Sequence, residues 1–232
     1  YHQKKFYGFD AWTVYELSWL GKEGVPNSGI LYFSYSSSSK KFIESKSLKL
    51  YINSLNNKKF ESKETFLSLL KEDLTNCIEE EIELEITEKP NDFYPAVQTL
   101  DTLKIDTCLN IENPNSLKLQ TLDQPTKDNF TFSNFRSLCP ISSQPDWATI
   151  RISYQGNRIE EVSLLKYLAS FRNYQAFHED CVEIIFNDLM RRCSPNILRV
   201  QANYLRRGGI EINPVRSSEI ISDRIVLRDL KQ

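Results

Sequence analysis

Residues 62–86, SKETFLSLLKEDLTNCIEEEIELEI, contain one change of hydrophobic period, and this change decides the fold class. Apolar side chains from Phe66 to Cys77 recur at helical spacing, and Ser62 stands where an N-cap is expected. In Ile82–Ile86 the apolar residues alternate with glutamates, which is typical of a strand with one face in solvent. A helix followed directly by an amphipathic strand predicts an α+β protein.

The rest of the chain repeats these two patterns. Strand periods or strand-forming residues occur in five segments: 30–35, 48–52, 150–156, 198–204 and 210–212. Helical spacing recurs in two segments of the second half: 164–171 and 181–189. We therefore predict mainly antiparallel sheet with helices on one face, and a hairpin turn at Gly208-Gly209.

The middle of the chain, residues 110–134, is polar, contains Pro114 and Pro125 and has no sustained period. Such composition is typical of a linker. We place one there and divide the chain into residues 1–124 and 125–232.

Composition excludes several classes of protein. The chain has 232 residues, of which 40% are hydrophobic and 26% charged, as in a globular protein. Its net charge of −2 argues against a nucleic-acid partner, because neutralising phosphates needs a basic surplus. No apolar run reaches the roughly 18 residues of a membrane span, so we expect no membrane partner. The chain starts at Tyr1 without Met or a signal-peptide core, and we expect its natural N-terminus to be missing.

Cysteine and histidine usage limits the site chemistry. There are five Cys, an odd number, and no C-x-x-C pair, which favours a reducing, cytoplasmic compartment over a disulfide framework. Two His, His2 and His178, leave little for a metal site, and we expect no metal. There is no G-x-G-x-x-G after a strand and no G-x-x-x-x-G-K-[ST], so Rossmann and P-loop sites are disfavoured.

Cys139 is the first candidate for catalysis. It lies in Leu138–Trp147, LCPISSQPDW, where two prolines predict a rigid loop before the next strand. Asp146 in the same loop is suited to accept the thiol proton and return it. The alternative is that Cys139 is a small buried hydrophobe and Asp146 caps a turn. The other cysteines fall on helix or strand patterns and are expected in the core: Cys77, Cys108, Cys181 and Cys193.

Three further segments carry groups suited to binding. Phe177-His178-Glu179-Asp180 precedes a helix and offers acid–base groups, or else carboxylates that complement the helix dipole. Ile43–Tyr51 crowds charges and hydroxyls at the start of a predicted strand, or else forms a solvated edge. Arg206-Arg207-Gly208-Gly209 is suited to hold a phosphate, or else is a plain β-turn.

Together these segments resemble, in order, the QueF-type nitrile reductases, the NADPH-dependent 7-cyano-7-deazaguanine reductases. The resemblance is carried by Glu44–Tyr51, Cys139 through Asp146-Trp147, Phe177–Glu179, Arg206–Gly209, Ile212–Pro214 and Arg216-Ser217. Tyr15–Leu20 is similar to the start of the longer, two-module form. The similarity is loose over 57–134, and the stretches before Phe6 and before Phe135 are shorter than in the family.

The resemblance implies a fold and an assembly that composition does not reveal. The expected fold is the tunnelling fold (T-fold), with two tandem modules per chain that associate into a homodimer. The substrate is expected where the modules meet, with Glu44 from one half and Cys139 and Glu179 from the other.

The resemblance also implies a reaction, the NADPH-dependent reduction of the nitrile of 7-cyano-7-deazaguanine to an aminomethyl group, in queuosine (tRNA modification) biosynthesis. The implied catalytic residues are Cys139, which forms a thioimide, Asp146 as proton donor and His178 as an aid to proton transfer. The implied substrate contacts are Ile43, Glu44, Ser45, Phe177, His178 and Glu179. The implied NADPH contacts are Ser45, Lys46, Arg207 and Gly208.

Two other functions stay open on the sequence. One is a zinc-dependent hydrolase of the tunnelling fold, similar to GTP cyclohydrolase I, which a single well-placed His disfavours. The other is a non-catalytic purine-binding or tRNA-associated module, which would have no need of Cys139 near Asp146.

Overall fold

The computed structural model describes residues 6–105, 114 and 118–232. The strands are β1 (Tyr7–Leu20), β2 (Pro26–Ser36), β3 (Glu83–Thr87), β4 (Gln98–Thr99), β5 (Thr121–Leu138), β6 (Pro145–Ile159), β7 (Ile197–Tyr204) and β8 (Ile210–Ser217). The helices are α1 (Ser45–Leu55), α2 (Lys63–Ile78), α3 (Glu161–Ala169), continued by a 3-10 turn at Ser170–Asn173, and α4 (His178–Cys193). Among the described residues, no helix is long and apolar enough to cross a membrane.

The strands form one sheet in the order β3-β2-β1-β8-β7-β6-β5-β4. Neighbouring strands are antiparallel except β4 and β5, which pair in parallel. This confirms the predicted α+β class and the mainly antiparallel sheet. The N-terminal and C-terminal halves of the sheet meet where β1 pairs with β8, from Tyr7 opposite Ser217 to Val14 opposite Ile210.

The helices pack against one face of this sheet. Their buried side chains belong to one apolar cluster that also contains alternate residues of the strands, for example Trp12 and Val14 of β1. Phe9 and Ala11, at the alternate positions of β1 that face the other side of the sheet, belong to a smaller cluster with Val226 of the C-terminal segment. The predicted placement of helices on one face therefore agrees with the packing.

The prediction of a strand at residues 48–52 is wrong, because this segment lies in helix α1. Leu48, Ile52 and Leu55 are buried at helical spacing, while Leu50 is 72% exposed. The helix starts here because the Glu44 carboxylate accepts hydrogen bonds from the first backbone N–H groups of α1. The alternation of Leu48, Leu50 and Ile52 was therefore coincidental.

The predicted linker at 110–134 is wrong in its second part, which lies in strand β5 from Thr121 onward. The strand carries polar residues because most of its first half is exposed. The register with β6 shifts between Leu122 and Pro125, an irregularity at which a strand tolerates proline. The division between residues 124 and 125 falls within this strand.

Helix α2 and strand β3 agree with their predictions. Ser62 caps α2 through its side chain, and Glu83 and Glu85 of β3 face solvent. Two cysteine predictions are confirmed, since Cys181 and Cys193 are buried. Cys77 is exposed and its predicted place in the core is wrong, because α2 buries its neighbour Ile78 instead. Cys108 lies outside the described residues.

A pair of leucine variants tests the helical assignment of α1. Leu48→Ala removes a side chain that is 3% exposed, and we expect a loss of about 2–5 kcal/mol in the free energy of unfolding. Leu50→Ala removes an exposed side chain, and we expect a change within about 0.5 kcal/mol. Urea denaturation measures both values, and equal losses would restore the strand interpretation.

Candidate active site

A cavity of about 320 Å³ lies between the two halves of the chain. It is bounded by the segment from β2 to α1, the loop between β5 and β6, the start of α4 and the turn before β8. The cavity is lined by all the residues that the sequence analysis assigned to a catalytic, substrate or cofactor role: Ile43, Glu44, Ser45, Lys46, Cys139, Asp146, Phe177, His178, Glu179, Arg207 and Gly208. Its size falls in the usual range for small-molecule sites.

The loop that carries Cys139 is held by backbone hydrogen bonds. The Cys139 amide donates to the Gln144 carbonyl over 2.9 Å, and the Ser143 amide donates to the Cys139 carbonyl over 2.9 Å. The Gln175 side chain donates to the Ser143 hydroxyl over 2.9 Å. Because Gln175 lies just before α4, this bond ties the Cys139 loop to the segment that presents Phe177.

The Cys139 loop stabilises a thiolate. Burial raises the pKa of Cys139, but hydrogen bonds from the Ser142 hydroxyl and from the backbone N–H groups of Ser142 and Ile141 together lower it below its usual value. The charge of Asp146 acts in the opposite direction and raises it. The loop, and not the nearby acid, therefore favours the ionised thiol. By contrast, burial raises the pKa of Cys181 to about 12.

Asp146 lies on β6, is 4% exposed and is paired with two side chains. Its Oδ1 lies 3.0 Å from Nη1 of Arg207 and 3.4 Å from Nε2 of His178. The same arginine also donates to the Pro145 carbonyl. These contacts hold the carboxylate in one orientation at the floor of the cavity, between a guanidinium and an imidazole.

The start of α4 presents three side chains to the cavity. Phe177 is the N-cap, and its ring lies 5.3 Å from the ring of Phe42. The rings of His178 and Tyr204 are arranged edge to face, with their centroids 4.2 Å apart. Burial, and after it the charge of Asp10, raises the pKa of Glu179 to about 7. Perturbed carboxyl groups in clefts are typical of functional sites.

Glu44 faces the same cavity from α1, but its carboxylate already has partners. Oε1 accepts from the Lys46 amide over 2.9 Å, and Oε2 accepts from the Ser47 amide and hydroxyl over 2.8 and 2.9 Å. Burial raises the pKa of Glu44, yet these hydrogen bonds outweigh it and lower the pKa. Glu44 is therefore an exposed, ionised carboxylate that caps a helix.

The rim of the cavity is basic. Lys46 and Lys49 of α1 and Arg207 of the turn before β8 all line it. Gly208 in that turn has φ 56°, and a Cβ there would collide with the Lys49 side chain. Cationic side chains around a close backbone approach suit the phosphates of a nucleotide. Among the described residues, no group of three or more His, Cys, Asp or Glu could hold a metal ion.

Several residues of the cavity were not predicted from sequence: Trp12, Phe42, Lys49, Pro140, Ile141, Ser142 and Gln144. The loop motif already contained Ser142, and a search for hydroxyls near the thiol would have found it. Trp12 lies just before the Tyr15–Leu20 segment but outside it, and it reaches the cavity because β1 lies inside the sheet, next to β8. No local pattern signals such a residue.

Two family models match the chain. One, described as "Nitrile reductase, 7-cyano-7-deazaguanine-reductase N-term", matches residues 1–86. The other, described as "QueF-like protein", matches residues 145–222. The two matched ranges contain all the predicted site residues except Cys139.

Curated relatives match most of the chain. The protein of Coxiella burnetii (strain RSA 331 / Henzerling II) is 41% identical over 217 residues, which cover 92% of this chain and 77% of the relative. The protein of Buchnera aphidicola subsp. Schizaphis graminum is 42% identical over 220 residues, covering 92% and 83%. Both are named NADPH-dependent 7-cyano-7-deazaguanine reductase. A solved structure of the archaeosine synthase QueF-Like in the apo form aligns at 17% identity and TM-score 0.37, covering 44% of this chain and 99% of that chain.

A serine variant tests how the loop stabilises the thiolate. Ser142→Ala removes one hydrogen bond to the Cys139 sulfur, so we expect the pKa of Cys139 to rise and its alkylation at pH 7 to slow several-fold. Ser143→Ala is the control, because the Ser143 hydroxyl bonds to Gln175. The measurement is the pH profile of iodoacetamide labelling at Cys139. Equal profiles for both variants would contradict the assignment.

Proposed function

The chain belongs to the nitrile reductase family of NADPH-dependent 7-cyano-7-deazaguanine reductases, and on this premise we propose the reaction that it catalyses. It reduces the nitrile of 7-cyano-7-deazaguanine to an aminomethyl group with NADPH, a step of queuosine biosynthesis. The observation that carries this function is one cavity that places Cys139, with a lowered pKa, beside the Asp146–His178 pair and Glu179. Relatives of this similarity favour a reductase over the hydrolase and the purine-binding module.

We also propose that the sheet consists of two tandem modules of the tunnelling fold, residues 1–124 and 125–232. The order of elements supports this. The first half consists of two strands (β1 and β2), two helices (α1 and α2) and two further strands (β3 and β4). The second half repeats this order with β5, β6, α3, α4, β7 and β8. A homodimer, the absence of a nucleic-acid partner and a reducing, cytoplasmic location complete the proposal. A reactive thiol at Cys139 needs such a compartment to stay reduced.

The substrate base is expected to lie with its pyrimidine edge toward Glu179. That edge offers a ring N–H and an amino group side by side, and an ionised carboxylate accepts both. Phe177 contributes an apolar surface to the cavity, and Ile43, Glu44 and Ser45 also line it. The Glu44 carboxylate can still bind a ligand. Its oxygens have more lone pairs than the hydrogen bonds of the helix cap occupy.

Cys139 starts the chemistry. Its thiolate adds to the electrophilic nitrile carbon, so a carbon–sulfur bond forms and one π bond of the nitrile breaks. The nitrogen takes up one proton and a thioimide results. The proton balance closes within the site, because Asp146 can receive the proton that the Cys139 thiol loses and pass it to the nitrogen. The ion pair with Arg207 holds the Asp146 carboxylate in place for this transfer.

Later steps regenerate the thiol. Conversion of a nitrile to an aminomethyl group takes four electrons, so NADPH, when bound, supplies one hydride in each of two rounds. After the first, the thioimide carbon has become tetrahedral and carries sulfur, hydrogen and an amino group. Expulsion of the Cys139 thiolate then gives an imine, which the second round reduces to the amine. His178, 3.4 Å from Asp146, is placed to help return protons to the nitrogen.

The basic rim fits the dinucleotide. At the first turn of α1, Ser45 offers a hydroxyl and Lys46 an ammonium, and Arg207 offers a guanidinium from the turn before β8. Gly208 allows close approach of the backbone. We assign these residues to NADPH, which would bind without a Rossmann fold.

The stoichiometry of the reaction tests the proposed function. With 7-cyano-7-deazaguanine, we expect two NADPH to be oxidised for each amine formed, because the product is four electrons more reduced. Absorbance at 340 nm and mass spectrometry of the product measure the two quantities. Without NADPH, the protein should gain the mass of one nitrile at Cys139. Cys139→Ala should form no adduct, and Cys181→Ala, which alters a buried thiol, should still form it.

An unchanged adduct in Cys139→Ala would exclude this residue as the nucleophile. Consumption of one NADPH per product would contradict a full reduction to the amine.

Asp146→Asn tests proton transfer. Asparagine keeps the shape of the carboxylate but cannot carry the proton, so we expect turnover to fall by about 10²–10⁴-fold. Binding of the nitrile, measured in a Cys139→Ala background so that no adduct forms, should change much less. An equal loss of turnover and of affinity would instead mean that Asp146 acts by positioning.

A further inference from the structure

A second cavity, of about 390 Å³, lies behind the site and shares Phe42, Phe177 and Glu179 with it. Its other wall carries Asp10 of β1 and Arg216 of β8. Glu179 therefore stands between the proposed substrate cavity and a cluster of charges that the proposed mechanism does not use.

Arg216 is the centre of this cluster and is 1% exposed. Nη1 lies 2.7 Å from Oδ1 of Asp10, and Nη2 lies 2.8 Å from Oε1 of Glu183. Nε also bonds to Glu183, and Nη1 donates to the carbonyls of Phe9 and Val215. A buried guanidinium bonded through all three nitrogens fixes β1, β8 and α4 relative to one another.

The charges of the cluster do not balance when Glu179 is ionised. Arg216 supplies one positive charge, and its nitrogens bond to Asp10, Glu183 and backbone carbonyls. Glu183 follows Glu179 by one turn of α4, so Glu179 adds a third carboxylate to the two that pair with the Arg216 guanidinium. Burial and the charge of Asp10 oppose its ionisation, which is why the pKa of Glu179 is raised to about 7.

Other charged or titratable groups also face Glu179. From the same helix these are His178, Asp180 and Glu183. From the second cavity they are Tyr35, Lys40 and Lys41, in addition to Asp10 and Arg216. From the substrate cavity they are Glu44, Lys46, Lys49, Cys139, Asp146 and Arg207.

We propose that Asp10 and Arg216 are positioning residues that act through Glu179. They hold the N-terminal half of α4 against the sheet through Glu183, and Asp10 sets the pH range in which the pocket binds a base that presents two adjacent N–H donors. This inference rests on the proposed function, because it needs such a base as ligand.

The sign of the pH effect follows from hydrogen bonding. Ionised Glu179 accepts a hydrogen bond from each of the two N–H groups of the base. When Glu179 is protonated, its O–H group is itself a donor and faces one of these N–H donors, so one hydrogen bond is lost. Affinity therefore rises with pH as Glu179 loses its proton. Removal of the Asp10 charge makes this loss easier, so tight binding extends to lower pH.

The test measures the dissociation constant of 7-cyano-7-deazaguanine by calorimetry at pH 6 and pH 8, in a Cys139→Ala background. With a group that titrates near 7, we expect the parent to bind about tenfold more weakly at pH 6 than at pH 8. In Asp10→Asn we expect this ratio to fall to about threefold or less. His178 is present in every variant, so a difference between variants does not come from this residue.

Asp188→Asn is the matched control. Asp188 is also a buried carboxylate of α4, but it bonds to Tyr167 and Arg191, away from the cavity. We expect this variant to melt at a lower temperature and to keep the tenfold ratio. Should Asp10→Asn fail to fold, Glu183→Gln takes its place. This variant neutralises the other carboxylate that pairs with Arg216, at a side chain that is 31% exposed. It should also lower the ratio of the two dissociation constants.

Each remaining outcome has one meaning. An unchanged ratio in Asp10→Asn, or in Glu183→Gln if the first does not fold, overturns the inference. A parent that binds equally well at both pH values overturns it too, and leaves the proposed function intact. A parent that binds at neither pH, together with no adduct on Cys139 in the unaltered protein, contradicts the proposed function itself.

Discussion

The pairing of β1 with β8 is the constraint on which the site depends. It joins the two halves in one sheet, with Gly8 opposite Arg216, and brings the start of α1 within reach of the Cys139 loop. A Cβ at Gly8 would collide with the Val215 carbonyl, so this register needs a residue without a side chain. The Arg216 guanidinium then ties both strands to α4 through Asp10 and Glu183. A cavity between two halves can keep its geometry only where such a junction is rigid.

The geometry separates two tasks that the sequence assigned to one residue. From the sequence, Asp146 was expected to activate the thiol as well as to move its proton. In the structure, hydrogen bonds from Ser142 and Ile141 lower the pKa of Cys139, while the charge of Asp146 raises it. Asp146 is left free to move a proton, held by Arg207 and His178. The separation is useful for proton transfer. A base strong enough to keep the thiol ionised by itself would hold the proton tightly and would not pass it readily to the substrate nitrogen.

The fold was predictable where burial follows a regular period, as in α2 and β3. The prediction failed at 48–52, because the cap formed by Glu44 decides that segment and three alternating apolar residues cannot outweigh it. It failed again in β5, whose exposed first half has the composition of a linker. The site residues were found by the order of short motifs. Asp10 and Trp12 were not, because they lie outside the Tyr15–Leu20 segment of β1 and only the strand order places them near Glu179.

Recognition of the base and transfer of protons share one turn of helix. His178 and Glu179 are adjacent residues of α4, so a shift of this turn moves the acid–base group and the proposed anchor together. His178 is held from the front by Asp146 and by the Tyr204 ring. Glu179 has Asp10 and Arg216 behind it, with Glu183 one turn along the same helix. A buried ion cluster contributes little net stability compared with apolar packing, because both charges lose their hydration. The proposed effect of the cluster is therefore on the position and charge of Glu179 rather than on the stability of the fold.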